Sequence, residues 1–300
     1  MRVKSISEFA ELVKIEMEKM LGSVTVEIQN VKKNNGLELV GVSVRKTSNV
    51  APTIYLECFY EQFQKGADIK ELVAMIGAIA EKNEIGDLNI DEILDWGVVK
   101  TKLFIKLINR NKNADLLATR PHRFVADLAI TYSILVEAIS SSEGIASIPV
   151  TVPVMEKLGV TENDLYEASI INMNTNALTE PVFMGVSEML ASMMPAGEFM
   201  NAPVVEDEPM YVITNEAKSY GAALILHKSF MNYVAEKLKE EFYILPSSVS
   251  ELLVVPCRKA DVDVLKDMVE TVNATEVAPD EVLSNHVYRW SRENGLEIVA

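Results

Sequence analysis

The sequence predicts an α+β fold in which mostly antiparallel strands form hairpins and helices pack against the sheet. Two patterns support this class. Short apolar runs are separated by turn residues, as at Asn35-Gly36, a dipeptide typical of two-residue hairpins. Between such runs, apolar residues recur with a helical period of about four residues. Hairpin turns outnumber strand-helix-strand patterns, so a doubly wound parallel sheet is the second choice.

Residues 210–256 contain the clearest succession of elements. The apolar runs 211–214 and 222–226 predict a hairpin, because a polar segment that ends in glycine separates them. The runs 242–245 and 252–255 predict a second hairpin, closed by a polar turn. A helix is predicted between the two hairpins, because the apolar period lengthens there.

Four further helices are predicted from capping residues that precede apolar periodicity. Side-chain oxygens of Ser5, Asp68, Thr161 and Asp261 would accept hydrogen bonds from first-turn N–H groups, and Glu8 would complete a capping box with Ser5. The predicted inner faces of the five helices are Ile6, Phe9, Val13, Met17 and Met20; Ile69, Leu72, Val73, Ile76 and Ile79; Leu165, Ser169 and Met173; Phe230, Val234 and Leu238; and Val262, Leu265, Val269 and Val272.

The remaining strands are predicted from alternation. In the hairpin around Asn35-Gly36 the apolar phase changes between Leu39 and Val40, which predicts a β-bulge. A short third strand follows at residues 54–56. A last hairpin is predicted from residues 287–290 and 296–299.

Two longer strands are predicted in the middle of the chain. Residues 124–136 alternate over an unusual length and are rich in β-branched side chains, which favours one long central strand that contains Asp127. Residues 99–109 also alternate and give an otherwise acidic chain one basic face. We interpret this face as a contact for acidic groups or an anionic ligand, or as a solvated surface. Its members are Lys100, Lys102, Lys106 and Arg110.

Residues 174–209 lose all periodicity and contain four prolines and many methionines. They predict a long irregular connection with one short helix around residues 186–191. We expect one module of residues 1–300 with two lobes, a smaller one at 1–95 and a larger α+β lobe at 96–300.

The composition is typical of an ordinary globular protein, with 49% hydrophobic and 24% charged residues among 300. The formal net charge is −16. Phosphate backbones and anionic lipid repel such a charge, so neither nucleic acid nor a membrane is expected as partner. The apolar runs are shorter than the ~20 residues of a membrane helix. No apolar secretion segment opens the chain, and we expect a cytoplasmic protein.

Motifs for common cofactors are absent, including the glycine-rich dinucleotide and phosphate loops and the calcium loop. His122, His227 and His286 lack the spacing of zinc ligands, and Cys58 and Cys257 form no CxxC pair. We therefore expect no cofactor and no metal, two free thiols, and histidines at surface or turn positions.

The turn at residues 247–251 contains Ser247, Ser248 and Glu251. A serine nucleophile needs a base within hydrogen-bond reach, and no sequence neighbour supplies one. The favoured interpretation is that the hydroxyl groups satisfy the backbone of a tight turn.

Two other sets of polar residues are candidates for a binding site. Glu57, Tyr60 and Glu61 offer two carboxylates and a phenol for acid–base work, although an ion pair with Arg123 is the favoured interpretation. Asp127 interrupts an otherwise uncharged strand. A carboxylate there must be paired, hydrogen-bonded or directed into a cleft.

Several stretches together resemble a bacterial family of unknown function. They are APTIYLECFYEQF at 51–63, the pattern from LIN to PHRFVADLAITY at 107–132, YILPSS at 243–248, NATEVAPDEVLS at 273–284 and VYRW at 287–290. The resemblance covers nearly the whole chain and implies no activity.

The leading hypothesis is a non-catalytic protein that binds a protein or small-molecule partner, because no catalytic pattern outweighs its structural interpretation. The alternative is a hydrolase-like enzyme with a cleft between Glu57, Asp127 and the turn at residues 247–251.

Overall fold

The computed structural model describes residues 3–22, 24–45, 51–83, 90–138, 145–175, 180–192 and 208–300. The chain divides into two compact units, Met1–Ile90 and Asp91–Ala300. Both contain helices and antiparallel sheets, which confirms the predicted α+β class. None of the helices in the described part of the chain combines the length and apolar composition that crossing a membrane requires.

The first unit is a three-stranded sheet covered by helices. Ser5 and Asp68 cap its two longest helices as predicted. The predicted β-bulge is wrong, because strands one and two pair without interruption and Leu39 faces Val31 across the ladder. Its elements are α1 (Ile6–Leu21), β1 (Thr25–Lys32), β2 (Glu38–Arg45), β3 (Thr53–Tyr55), α2 (Glu57–Gln64) and α3 (Ile69–Lys82).

The second unit follows with helices and two sheets, and its first short helix begins at the unit boundary. The elements are α4 (Ile90–Ile93), α5 (Trp96–Val99), β4 (Leu103–Asn109), α6 (Ala114–Leu117), β5 (His122–Val125), β6 (Leu128–Ala138), β7 (Ile145–Pro149), α7 (Val152–Leu158), α8 (Glu162–Asn172), β8 (Pro181–Gly185), α9 (Val186–Ser192), β9 (Tyr211–Asn215), α10 (Lys228–Leu238), β10 (Phe242–Leu245), β11 (Leu252–Pro256), α11 (Val262–Thr275), β12 (Tyr288–Ser291) and β13 (Gly295–Ile298).

A four-stranded sheet is built around the long strand β6, which pairs with β4, β5 and β7. The single strand predicted at 124–136 is wrong, because a turn at Ala126 and Asp127 divides it into the β5–β6 hairpin. The strand predicted at 99–109 starts only at Leu103. The residues before it belong to α5 and a turn.

A six-stranded sheet has the order β13-β12-β10-β11-β9-β8 and contains the predicted β10–β11 and β12–β13 hairpins. The hairpin predicted from 211–214 and 222–226 is wrong, because Gly221–Leu226 is a 3-10 helix and β9 pairs with β8 and β11. The predicted irregular connection at 174–209 contains β8 besides the expected helix, here α9. Its residues 176–179 and 193–207 lie outside the described part of the chain.

One core fills the space between the inner faces of both sheets of the second unit and helices α8 and α10. Val234 and Leu238 of α10 are buried in it as predicted, whereas Phe230 is only half-buried and Met231 takes an inner position. Apolar side chains from both sheets and both helices meet there, including Leu107, Leu128, Ile130, Tyr132, Leu165, Ile213, Phe242, Val254 and Tyr288.

Candidate functional site at the Asp127 turn

The turn between β5 and β6 consists of Ala126 and Asp127. Ala126 has a φ of 51°, in the left-handed region that two-residue hairpin loops of this kind use. Asp127 therefore lies at the tip of a hairpin. The prediction that it lies within a strand is wrong. From this position its carboxylate reaches a distant part of the chain.

Three donors surround the Asp127 carboxylate. Ser284 Oγ donates to Oδ2 at 2.7 Å, and His286 Nδ1 lies 2.9 Å from the same oxygen. The Tyr288 hydroxyl donates to Oδ1. The side chains of this cluster are separated by about 160 residues in sequence, and the sheet packing brings them together.

These hydrogen bonds fix the protonation states. Burial tends to raise the pKa of Asp127, but the hydrogen bonds from Ser284, Tyr288 and His286 outweigh burial and hold this pKa below its usual value. Burial raises the pKa of Tyr288 far above its ordinary value, and the hydrogen bond to Asp127 adds to the effect. At neutral pH the carboxylate is therefore charged and Tyr288 is a protonated donor.

Ser284 is a structural member of this cluster and not a nucleophile. Its Oγ donates to Asp127 and accepts a hydrogen bond from the His286 backbone N–H at 3.0 Å, and the residue is only 1% exposed. In a serine-protease triad the imidazole stands between the serine and the carboxylate. Here the serine and the imidazole share one carboxylate oxygen, so the hydroxyl proton points to the carboxylate and not to the ring.

His286 is the exposed member of the cluster, with 48% of its side chain accessible. Because Nδ1 faces a charged carboxylate oxygen, it must carry the proton of the neutral ring. The lone pair of the neutral imidazole is therefore on Nε2.

Two asparagines hold the chain segment that carries Ser284 and His286. Asn109, at the end of β4, donates from Nδ2 to the Leu283 carbonyl at 3.0 Å. Asn273, in α11, donates to the Ser284 carbonyl at 2.9 Å. The backbone of this segment is thus fixed from two sides, which holds the side chains opposite Asp127.

The turn at residues 247–251 packs against the same segment. The Ser247 carbonyl accepts a hydrogen bond from the Leu283 N–H at 3.0 Å, and both Ser247 and Ser248 are buried. The Ser248 hydroxyl accepts from the Ser250 N–H at 3.0 Å. Burial, followed by the charge of Glu281, raises the pKa of Glu251. The structure therefore brings this turn and Asp127 to one chain segment.

The Glu57 segment belongs to the first unit. Glu57 Oε1 accepts a hydrogen bond from the Val40 N–H at 2.7 Å, which ties α2 to β2. The Tyr60 ring packs on Phe9 with 5.4 Å between ring centroids, and Glu61 is exposed on the same helix.

Arg123 lies on β5 and contacts α8. Its Nε and Nη2 donate to the two carboxylate oxygens of Glu162 at 2.8 and 2.7 Å, and the Tyr132 hydroxyl donates to the same carboxylate. The Arg123 guanidinium also lies over the Tyr166 ring at 3.7 Å. Arg123 therefore forms a bidentate ion pair with the first residue of α8.

The basic face predicted along one strand is wrong. Lys100 and Lys102 lie in the turn before β4, where no strand alternation applies. Lys106 lies on β4, where its Nζ donates to Ser147 Oγ at 2.9 Å and lies 4.0 Å from the Tyr220 ring centroid. The lysines therefore do not form one stripe.

Arg110 follows β4 and stacks on an aromatic ring. Its guanidinium carbon lies 4.0 Å from the ring centroid of Phe124, which is 46% exposed. Phe124 pairs with Ala129 across the hairpin, and side chains of paired residues share a face. Leu128 and Ile130, the neighbours of Ala129, belong to the main core. Phe124 therefore lies on the outer face of the sheet.

Sequence reasoning found Asp127 but missed its partners Ser284, His286 and Tyr288. They lie at alternate positions in one stretch, but nothing in the sequence links that stretch to a turn at Asp127. Within the described residues, no group of three or more His, Cys, Asp or Glu side chains is arranged to hold a metal ion.

The fold and the site define an α+β protein with a hydrogen-bonded carboxylate–imidazole pair at the tip of a hairpin. The chain belongs to the family of unknown function DUF5688, whose model matches residues 6–292. This confirms the family resemblance of nearly the whole chain. Searches of curated proteins and of solved structures found no match.

Proposed function

We propose that the chain is a binding or interaction protein of the bacterial cytoplasm, and that its contact surface is the outer face of the β5–β6 hairpin. The observation that carries the proposal is the exposed pair of Arg110 and Phe124. We call these two residues the Arg110–Phe124 pair.

The chemistry of this pair suits protein recognition. Aromatic residues and arginine are enriched at the energetic centres of interfaces, where they provide large contact area and fixed donors. Stacking on Phe124 limits the freedom of the Arg110 side chain before a partner arrives, which lowers the entropy cost of binding. Among the residues that the structure describes, Arg110 forms no ion pair, so its donors remain available to a carboxylate. The partner surface should accordingly be acidic.

The hydrolase-like alternative, with a serine in the turn at 247–251, has less support. Ser247 and Ser248 are buried, and the Ser248 hydroxyl already serves the backbone of its own turn. We therefore propose no nucleophile there.

Capture of partners from the native cell tests the binding function. Tagged wild-type chain and the variants Phe124→Ala and Arg110→Ala would be compared by quantitative mass spectrometry of the captured proteins. The matched control is Tyr233→Ala, because Tyr233 is 45% exposed on α10 and Lys237 Nζ lies 5.4 Å from its ring centroid. We expect both hairpin variants to lose an acidic partner that the wild type and the control retain. Equal capture by all four proteins would contradict the proposal.

A further inference from the structure

The Asp127 carboxylate, with its partners Ser284, His286 and Tyr288, forms a second candidate site, separate from the Arg110–Phe124 pair. We propose that His286, positioned by Asp127, is a general base whose Nε2 accepts a proton from water as that water attacks an ester-type carbonyl. In this site His286 is the catalytic residue and Asp127 is a positioning residue.

The orientation of the imidazole is the first argument. The 2.9 Å contact between Nδ1 and Asp127 Oδ2 commits the ring proton to the carboxylate side. The Nε2 lone pair is then the one available to solvent, on a side chain that is 48% accessible. The backbone N–H of His286 donates a hydrogen bond to Ser284 Oγ, so both the backbone and the ring of His286 are held in place.

The charge of Asp127 is the second argument. Ser284 and Tyr288 donate to the carboxylate and keep it ionised, so a negative charge stays beside the ring when His286 gains a proton. In an imidazole–carboxylate pair of this kind, the carboxylate fixes the tautomer and the orientation of the ring during proton transfer. Among the described residues, the titratable group that is hydrogen-bonded to the ring is Asp127, which in turn accepts a hydrogen bond from Tyr288.

The reaction needs no group beyond substrate and water. As the water oxygen bonds to the carbonyl carbon, one water proton moves to His286 Nε2. The bond between the carbonyl carbon and the leaving oxygen then breaks, and the leaving oxygen takes the proton from Nε2. The products are an acid and an alcohol, the imidazole is neutral again, and Asp127 remains charged throughout.

His122, in β5, provides a matched control. Its Nδ1 lies 2.8 Å from the Arg120 carbonyl oxygen, so Nδ1 again carries the ring proton, but its hydrogen-bond partner is uncharged. If any partly exposed histidine sufficed, His122 and His286 would contribute equally. The proposal requires that only His286 depends on a carboxylate.

The test is hydrolysis of p-nitrophenyl acetate by the full chain. The rate is measured from the release of p-nitrophenol at pH values from 5 to 9. We expect His286→Gln to lower the protein-catalysed rate at least about tenfold and His122→Gln to leave it unchanged. Asp127→Asn should also lower the rate and move the midpoint of the pH profile. No rate above buffer in the wild type, or an unchanged rate in His286→Gln, would overturn the proposal.

A second measurement keeps the test decisive if Asp127→Asn folds poorly. Nitrogen-15 NMR of histidine side chains in the wild type should show His286 protonated at Nδ1 above its titration midpoint. Protonation at Nε2 instead would overturn the proposal. Neither result bears on the Arg110–Phe124 pair, because the two sets of variants alter different residues.

Discussion

Replacing Asp127 by alanine should leave two buried hydroxyl donors without an acceptor. Tyr288 is fully buried and Ser284 nearly so, and both donate to this carboxylate. Leaving a buried donor unpaired costs ~1–3 kcal/mol, so the two together cost about 2–6 kcal/mol. Water can enter from the partly exposed side of the turn and recover some of this loss. We expect the free energy of unfolding of the second unit to fall by about 3 kcal/mol.

Urea unfolding followed by tryptophan fluorescence measures this loss. The chain has two tryptophans, Trp96 and Trp290, and both belong to the unit Asp91–Ala300, so their emission reports on the unit that contains Asp127. Asp267→Ala is the control, because Asp267 is exposed on α11. A loss below about 1 kcal/mol in Asp127→Ala, or an equal loss in the control, would refute the reasoning.

The same cluster predicts a pH dependence. The pKa of Asp127 is lower in the folded chain than the ordinary value of about 3.9 that applies when the chain is unfolded. Its contribution to stability is therefore complete above that ordinary value and is lost as the pH falls through the folded pKa. The difference in unfolding free energy between wild type and Asp127→Asn should shrink as the pH falls below about 4. A difference that grows as the pH falls below about 4 would contradict this sign.

Three further substitutions test the packing of the second unit by urea unfolding. Leu238→Ala should cost roughly 2–5 kcal/mol through lost burial and a cavity, whereas the exposed Tyr233→Ala should cost less than about 1 kcal/mol, and equal costs would contradict the position of α10. Ser169→Ala should leave stability unchanged or raise it by up to about 1 kcal/mol, because Ser169 is 0% exposed and its hydroxyl has no hydrogen-bond partner among the described residues; a clear loss would show that a water or ligand satisfies it. Gly221→Ala should cost more than about 2 kcal/mol, because the new Cβ would lie 2.5 Å from the Ser250 carbonyl oxygen, and a neutral result would contradict that close approach.

Elements whose signals are local could be predicted from the sequence. The caps at Ser5, Asp68, Thr161 and Asp261 depend only on a side-chain oxygen and the N–H groups of the next turn, and the structure confirms all four. The β10–β11 hairpin likewise depends on two short apolar runs with a polar turn between them. In these cases the interactions that decide the conformation lie within about a dozen residues of each other.

The strand prediction for residues 222–226 is wrong because a short apolar segment that is buried on all sides has no periodicity that distinguishes a strand from a helix. What decides its conformation is non-local. The Gly221 N–H donates to the Ser250 carbonyl at 3.1 Å, and the Thr214 hydroxyl donates to the same oxygen at 3.0 Å. These bonds draw the backbone against the turn at 247–251 in place of a ladder with β9.

The alternation from residue 124 to residue 136 predicted one strand instead of a hairpin for a different reason. In a two-residue hairpin the residues on either side of the loop face each other, so Val125 and Leu128 share a face although their positions differ in parity. A continuous alternation assigned Phe124 to the face of Leu128, and the structure turns it outward. The signal that could have revealed the turn was the charge of Asp127 itself, because a lone carboxylate is more easily solvated at a hairpin tip than within a central strand.

The site depends on that turn. A straight strand would have held Asp127 within the sheet, where no donor from the β12 region could reach it. The hairpin places the carboxylate at its tip, where Ser284 and His286, from the segment before β12, and Tyr288, the first residue of β12, all contact it. The buried members of this set, Ser284 and Tyr288, satisfy and fix the charge, while the exposed member, His286, presents its free nitrogen to solvent. A network that only stabilised the fold would not need its third donor to be an exposed imidazole, because a buried hydroxyl could occupy that position without the cost of a titrating group.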